Sequence, residues 1–149
     1  MADGRSAPSL LLDMIVGKWL SQAICVTAEL GIADLLKDGP RTSAEIAAET
    51  GASEDAVYRL LRALGGVGLF TESEGRRFTL TNLGTPLRRD VAGSVRGFAR
   101  FVGHEINGRP WGQFIHSVKT GMPSFDLVFG APVFEYMATR PEAAAIMNE

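Results

Sequence analysis

Few residues in this chain could do chemistry, and their spacing argues against most of the chemistry they suggest. His104-Glu105 opens like the pair of a zinc protease, but position 108, where the second histidine should stand, is Gly108. His104 and His116 lie on neighbouring segments with no cysteine or carboxylate at ligand spacing, so no metal site is assigned. His104 remains a candidate polar residue of a ligand pocket. Cys25 is the single cysteine; it sits in an apolar stretch and reads as a small buried hydrophobe. Gly65-Gly66-Val67-Gly68 has the composition of a phosphate loop in the wrong order. A dinucleotide loop runs from strand through glycines into a helix N-terminus, whose amides face the phosphate; this one leaves a helix and enters a strand. No serine or cysteine has a base beside it in a nucleophile context. The sequence therefore yields no catalytic and no cofactor-binding residue.

Binding chemistry remains. Phe98, Phe101, Trp111, Phe114, Met122, Phe125, Phe129, Phe134, Tyr136 and Met137 crowd into the last third of the chain. Most should be core, but aromatics and methionines also line pockets for flat organic ligands.

The elements that must position these residues are mainly helical. Residues 1–8 read as a flexible tail. From Ser9, as cap, a helix runs to about Thr27 with Leu12, Ile15, Val16, Trp19, Leu20 and Ala23 among its apolar positions. It is apolar on most sides and must be buried on most sides, which a second copy would achieve more simply than one small chain. Those six residues are the candidate dimer interface. Thr42-Ser43-Ala44-Glu45 fits a capping box, and Thr50-Gly51 ends that short helix. Ser53 opens another helix, with Val57, Leu60, Leu61 and Leu64 on one stripe. Leu69–Glu72 and Arg77–Thr81 read as a hairpin. Helix-turn-helix followed by a hairpin is a winged helix. Residues 9–90 thus form dimerisation helices and winged helix, and 91–149 a helical arm. In that arm Asn107-Gly108-Arg109-Pro110 should break the chain, Pro110 should start a helix running to Thr120, 122–132 should be irregular, and 142–149 should open a last helix.

Composition narrows the class. The 149 residues are 46% hydrophobic and 21% charged, with net charge −2, as in a soluble globular domain. The longest uncharged run, 19–28, is too short to cross a bilayer, and the N-terminus lacks signal-peptide order; a cytoplasmic protein without a membrane partner is expected. A winged helix invites a DNA-binding regulator as the alternative. Residues 41–90 hold seven arginines against seven carboxylates, and Glu54 and Asp55 occupy the start of the recognition helix. Phosphate binding needs net positive charge there, so nucleic acid is disfavoured.

Several stretches carry a family likeness. Leu30-Gly31-Ile32-Ala33-Asp34-Leu35-Leu36, then residues 42–47, then Tyr58-Arg59-Leu60-Leu61-Arg62-Ala63-Leu64, then Phe78-Thr79-Leu80-Thr81-Asn82-Leu83-Gly84 follow in order. With Trp111, Gly121, Phe134-Glu135-Tyr136-Met137 and Pro141, the chain resembles the N-terminal domain of S-adenosylmethionine-dependent O-methyltransferases of the caffeate and bacterial polyketide type. The resemblance implies a homodimer, a winged helix without a DNA role, and a wall for a small aromatic or polyketide-like acceptor. It places Phe101, His104, Trp111, Phe114, Phe134 and Met137 at that pocket. It also implies S-adenosylmethionine as methyl donor for the full-length enzyme, held by a Rossmann-like half that these residues lack. On this reading the chain stops before its catalytic half, and acts in dimerisation and acceptor capping rather than in catalysis alone.

Overall fold

The computed structural model describes residues 6–141. The predicted opening helix at 142–149 and most of the predicted tail lie outside them. Helix α1 (Ala7–Glu29) starts earlier than predicted. Ser6 rather than Ser9 is its cap: the Ser6 hydroxyl accepts from the Ser9 amide, and Pro8 fits the first turn, where no donor is needed. At 23 residues α1 is long and apolar enough to cross a membrane by length and composition, which the short uncharged runs had concealed. Core helices of soluble proteins meet the same test, and the C-terminal half of α1 packs on its own chain: Thr27 and Ala28 are fully buried.

After a left-handed Gly31, α2 (Ile32–Leu35) turns the chain under α1. Strand β1 (Arg41–Thr42) leads directly into α3 (Ser43–Thr50). The capping box forms as its residue types require: the Glu45 amide donates to Thr42 Oγ1 at 3.1 Å, and the Thr42 amide donates to the Glu45 carboxylate at 2.7 Å. Gly51, at φ 66°, closes α3 in the left-handed region. Helix α4 (Glu54–Gly65) buries Val57, Leu61 and Leu64. Strands β2 (Phe70–Ser73) and β3 (Arg77–Leu80) form the wing. β1 completes an antiparallel sheet in the order β1-β3-β2, with Arg41 opposite Phe78. The helix-turn-helix and wing enclose an apolar core of Ile32, Leu36, Ile46, Leu61, Phe70 and Phe78. Each such side chain contributes roughly 1.5–3 kcal/mol by leaving water.

A 3-10 turn (Thr85–Leu87) then feeds α5 (Arg96–Gly103), which lies along α1. Gly103 permits the close approach, because a Cβ there would collide with the Cys25 side chain. Arg100 grips Glu29 through two hydrogen bonds of 2.6 and 3.2 Å, and Arg96 Nε donates to the Ala28 carbonyl at 3.1 Å. The remaining helices are α6 (Glu105–Gly112), α7 (Phe114–Thr120), α8 (Ser124–Phe129) and α9 (Val133–Ala138).

Three predictions for the arm fail here. Asn107-Gly108-Arg109-Pro110 lies inside α6, and the break falls at Gln113 (φ −107°, ψ 16°). The His104 side chain caps α6 from the front, and Pro110 lies within that helix, which runs on to Gly112, instead of starting one. The stretch read as irregular contains α8, closed by a left-handed Gly130.

Candidate functional site

The ends of α5 and α6 meet α7, α8 and α9 around an open apolar cavity of about 380 Å³. Phe101, Trp111, Phe114 and Met137 line it, four of the six residues proposed from sequence. The other two do not. His104 is spent on structure: its Nδ1 accepts from the Ile106 amide at 3.2 Å. Phe134 is 81% exposed, because Val133 and Met137, one turn apart on α9, take the cavity side.

Sequence reasoning missed Asn107 and Pro110, which it assigned to a break, and the Ser117–Ser124 pair. In that pair the Ser124 amide donates to Ser117 Oγ at 2.9 Å, which ties α8 to α7. Phe125 stood only in the broad aromatic crowd; it lines the cavity, tilts against Phe129 at 4.7 Å and meets Tyr136 edge-to-face at 5.6 Å. Arg109 and Arg140 cap that aromatic cluster over Phe129 and Tyr136.

Among the described residues none that lines the cavity is acidic or basic. Such a lining suits a flat apolar group. Elsewhere, burial and then the neighbouring Glu29 carboxylate push the Cys25 thiol up, which leaves it a poor nucleophile. Among the described residues no three of His, Cys, Asp and Glu converge.

The second feature is the outer face of α1. Leu11, Leu12, Met14, Ile15 and Trp19 stand largely in water, Met14 at 77% and Trp19 at 72%. Leu20 is at the edge of exposure, whereas Val16 and Ala23 are half-buried. Ala23 packs against its own chain's core.

The wing offers little to DNA. Arg76 lies 3.9 Å from both Glu54 and Asp55 and stacks on Tyr58, 4.4 Å from the ring. Arg77 lies 3.8 Å from Glu45. The hairpin's cations are thus directed at carboxylates of the helix-turn-helix, which cancels the field that phosphates would feel.

Comparison with known proteins agrees with this geometry. Phenazine O-methyltransferase PhzM of Lysobacter antibioticus is 42% identical over 141 residues, which cover 95% of this chain and 41% of that protein. The crystal structure of LaPhzM superposes with a TM-score of 0.91 at 40% identity, over 97% of this chain and 43% of that one. The O-methyltransferase NcsB1 from neocarzinostatin biosynthesis, in complex with S-adenosylmethionine and 2-hydroxy-5-methyl naphthoic acid, gives 0.72 at 35% identity, over 86% and 40%. The chain therefore spans about two fifths of the length of the relatives it matches. Its residues 12–89 match the family model of the O-methyltransferase dimerisation domain. That span is more than half of the chain, which belongs to the O-methyltransferase dimerisation domain family.

Proposed function

We propose that this chain pairs with a second copy of itself through α1 and caps the acceptor site of a small-molecule O-methyltransferase that works in the cytoplasm. One observation carries the reading: the row of large apolar side chains that α1 leaves in water, within the segment matched by the dimerisation family. Exposed contiguous apolar surface of this kind marks an interaction face. The apolar cavity supplies the second half of the reading, a wall suited to an aromatic or polyketide-like acceptor.

S-adenosylmethionine, the donor implied by the family, does not fit the described residues. No carboxylate lines the cavity to receive ribose hydroxyls or an ammonium group. Among the described residues the sheet is antiparallel, and its direct strand-to-α-helix passage, Thr42 to Ser43, contains no glycine. No step of methyl transfer is therefore derived through these residues. Their part is to exclude water from an acceptor and hold it in place.

Calorimetric titration tests this division of labour. 1-Naphthol, a hydroxylated bicyclic ring, should bind the chain, and S-adenosylmethionine should give no heat of binding. Binding of S-adenosylmethionine without the naphthol would overturn the reading.

A further inference from the structure

Trp111 is 63% exposed, yet it forms one wall of the cavity. A half-free indole on a short helix would ordinarily sample several rotamers. Asn107, one turn earlier on α6, prevents this. Its Oδ1 accepts from the Trp111 indole N–H at 3.1 Å, and its Nδ2 donates to the Val102 carbonyl at 2.9 Å. The two partners fix which way the amide points. Indole nitrogen can only donate and a carbonyl can only accept, so only one orientation satisfies both. Val102 lies at the end of α5, where helix carbonyls lack partners within the helix. Asn107 therefore anchors itself on the neighbouring helix and spends its other end on the indole. Phe114 completes the wall, its ring centroid 5.1 Å from that of Trp111.

We propose that Asn107 is a positioning residue that holds the Trp111 ring plane, so that the cavity selects flat acceptors over puckered ones. The proposal rests on reading the cavity as an acceptor site. Offset stacking is worth about 0.5–1.5 kcal/mol beyond area burial, and only a ring held in place offers it to a planar ligand. A saturated ring of the same size gains the burial without the stacking.

The test compares affinities for 1-naphthol and its saturated counterpart, decahydro-1-naphthol, in the 149-residue chain. Asn107→Leu should weaken 1-naphthol about fivefold to tenfold and decahydro-1-naphthol by less than about twofold. Trp111→Phe keeps the Asn107 anchor on Val102 but removes the indole N–H together with its five-membered ring; with no hydrogen bond left to hold the ring plane, the same preference for the flat ring should be lost. Adding Asn107→Leu to Trp111→Phe should then change nothing further, since the two act as one unit. Equal weakening of both probes by Asn107→Leu would overturn the proposal, because a merely structural residue loosens the cavity for either ligand. An additive double variant would overturn it too, while the acceptor reading stands. If the parent chain binds neither probe, the acceptor reading itself falls, and this proposal falls with it.

Discussion

Two regions of this molecule handle apolar residues in opposite ways. Between Thr27 and Leu87 the chain is closed on itself: Phe78, Ile32, Ile46, Leu61 and Leu64 are fully buried. Both ends of α3 are closed locally, by the box of Thr42 and Glu45 and by the left-handed Gly51. Before Thr27 and after Val95 the apolar side chains of α1 and the arm largely face outward, Trp19, Phe98, Val118 and Met122 among them. The first region carries its own stability. The second carries apolar surface that the described residues leave in water, and it is there that pairing and ligand capping are proposed.

The contrast can be broken most severely at its centre. Phe78→Ala should cost about 3–5 kcal/mol, read as a lower denaturant midpoint, because the residue is fully buried beneath Tyr58. Trp19→Glu should leave that midpoint nearly unchanged at monomeric concentrations and weaken self-association about a hundredfold, or ~2.7 kcal/mol, in a dilution series. A loss of fold on Trp19→Glu would mean that α1 belongs to the closed region. At the seam between the regions, Gly103→Ala should cost about 1–3 kcal/mol, since its methyl group meets Cys25; thermal unfolding measures this. Thr42→Ala removes the capping box and should cost about 1 kcal/mol of unfolding free energy, with association untouched.

The smallest effect is acid sensitivity of the seam. The hydrogen bond from Arg100, opposed by desolvation and aided by the charges of Arg100, Arg96 and His104, holds the Glu29 carboxyl below its usual value. A lowered folded pKa means that its contribution is complete above the ordinary glutamate range and is lost as pH falls through the folded value. Solvent screening at this partly exposed pair keeps it under about 1 kcal/mol. Glu29→Gln should flatten that acid limb in unfolding curves taken from pH 6 to pH 3, roughly the span of carboxylate titration.

Local signals in the sequence were the legible ones. The box at Thr42 and Glu45, the left-handed Gly51 and the stripe of α4 depend on residues a few positions apart, and they formed as read. Strand β1 did not show, because two residues carry no period and its partner Phe78 is far along the chain. The arm was misread where a local break signal met a tertiary anchor: Asn107-Gly108 looks like a turn until Asn107 finds Val102 and Trp111. From composition the cavity was visible only as an aromatic crowd, and the family resemblance named four of its lining residues, Phe101, Trp111, Phe114 and Met137. Which members turn inward depends on helix phase, so Met137 lines it while Phe134 faces out. His104 was read as a polar residue of the pocket, but its ring nitrogen Nδ1 is used to start α6.

The central claim is that α1 leaves its apolar face for a second copy of the chain, and sedimentation equilibrium at micromolar concentration tests it most directly. A species of twice the 16.0 kDa chain mass is predicted. A single-chain mass across the whole concentration range would contradict it, and would leave the face of Met14, Ile15 and Trp19 without the partner assigned to it.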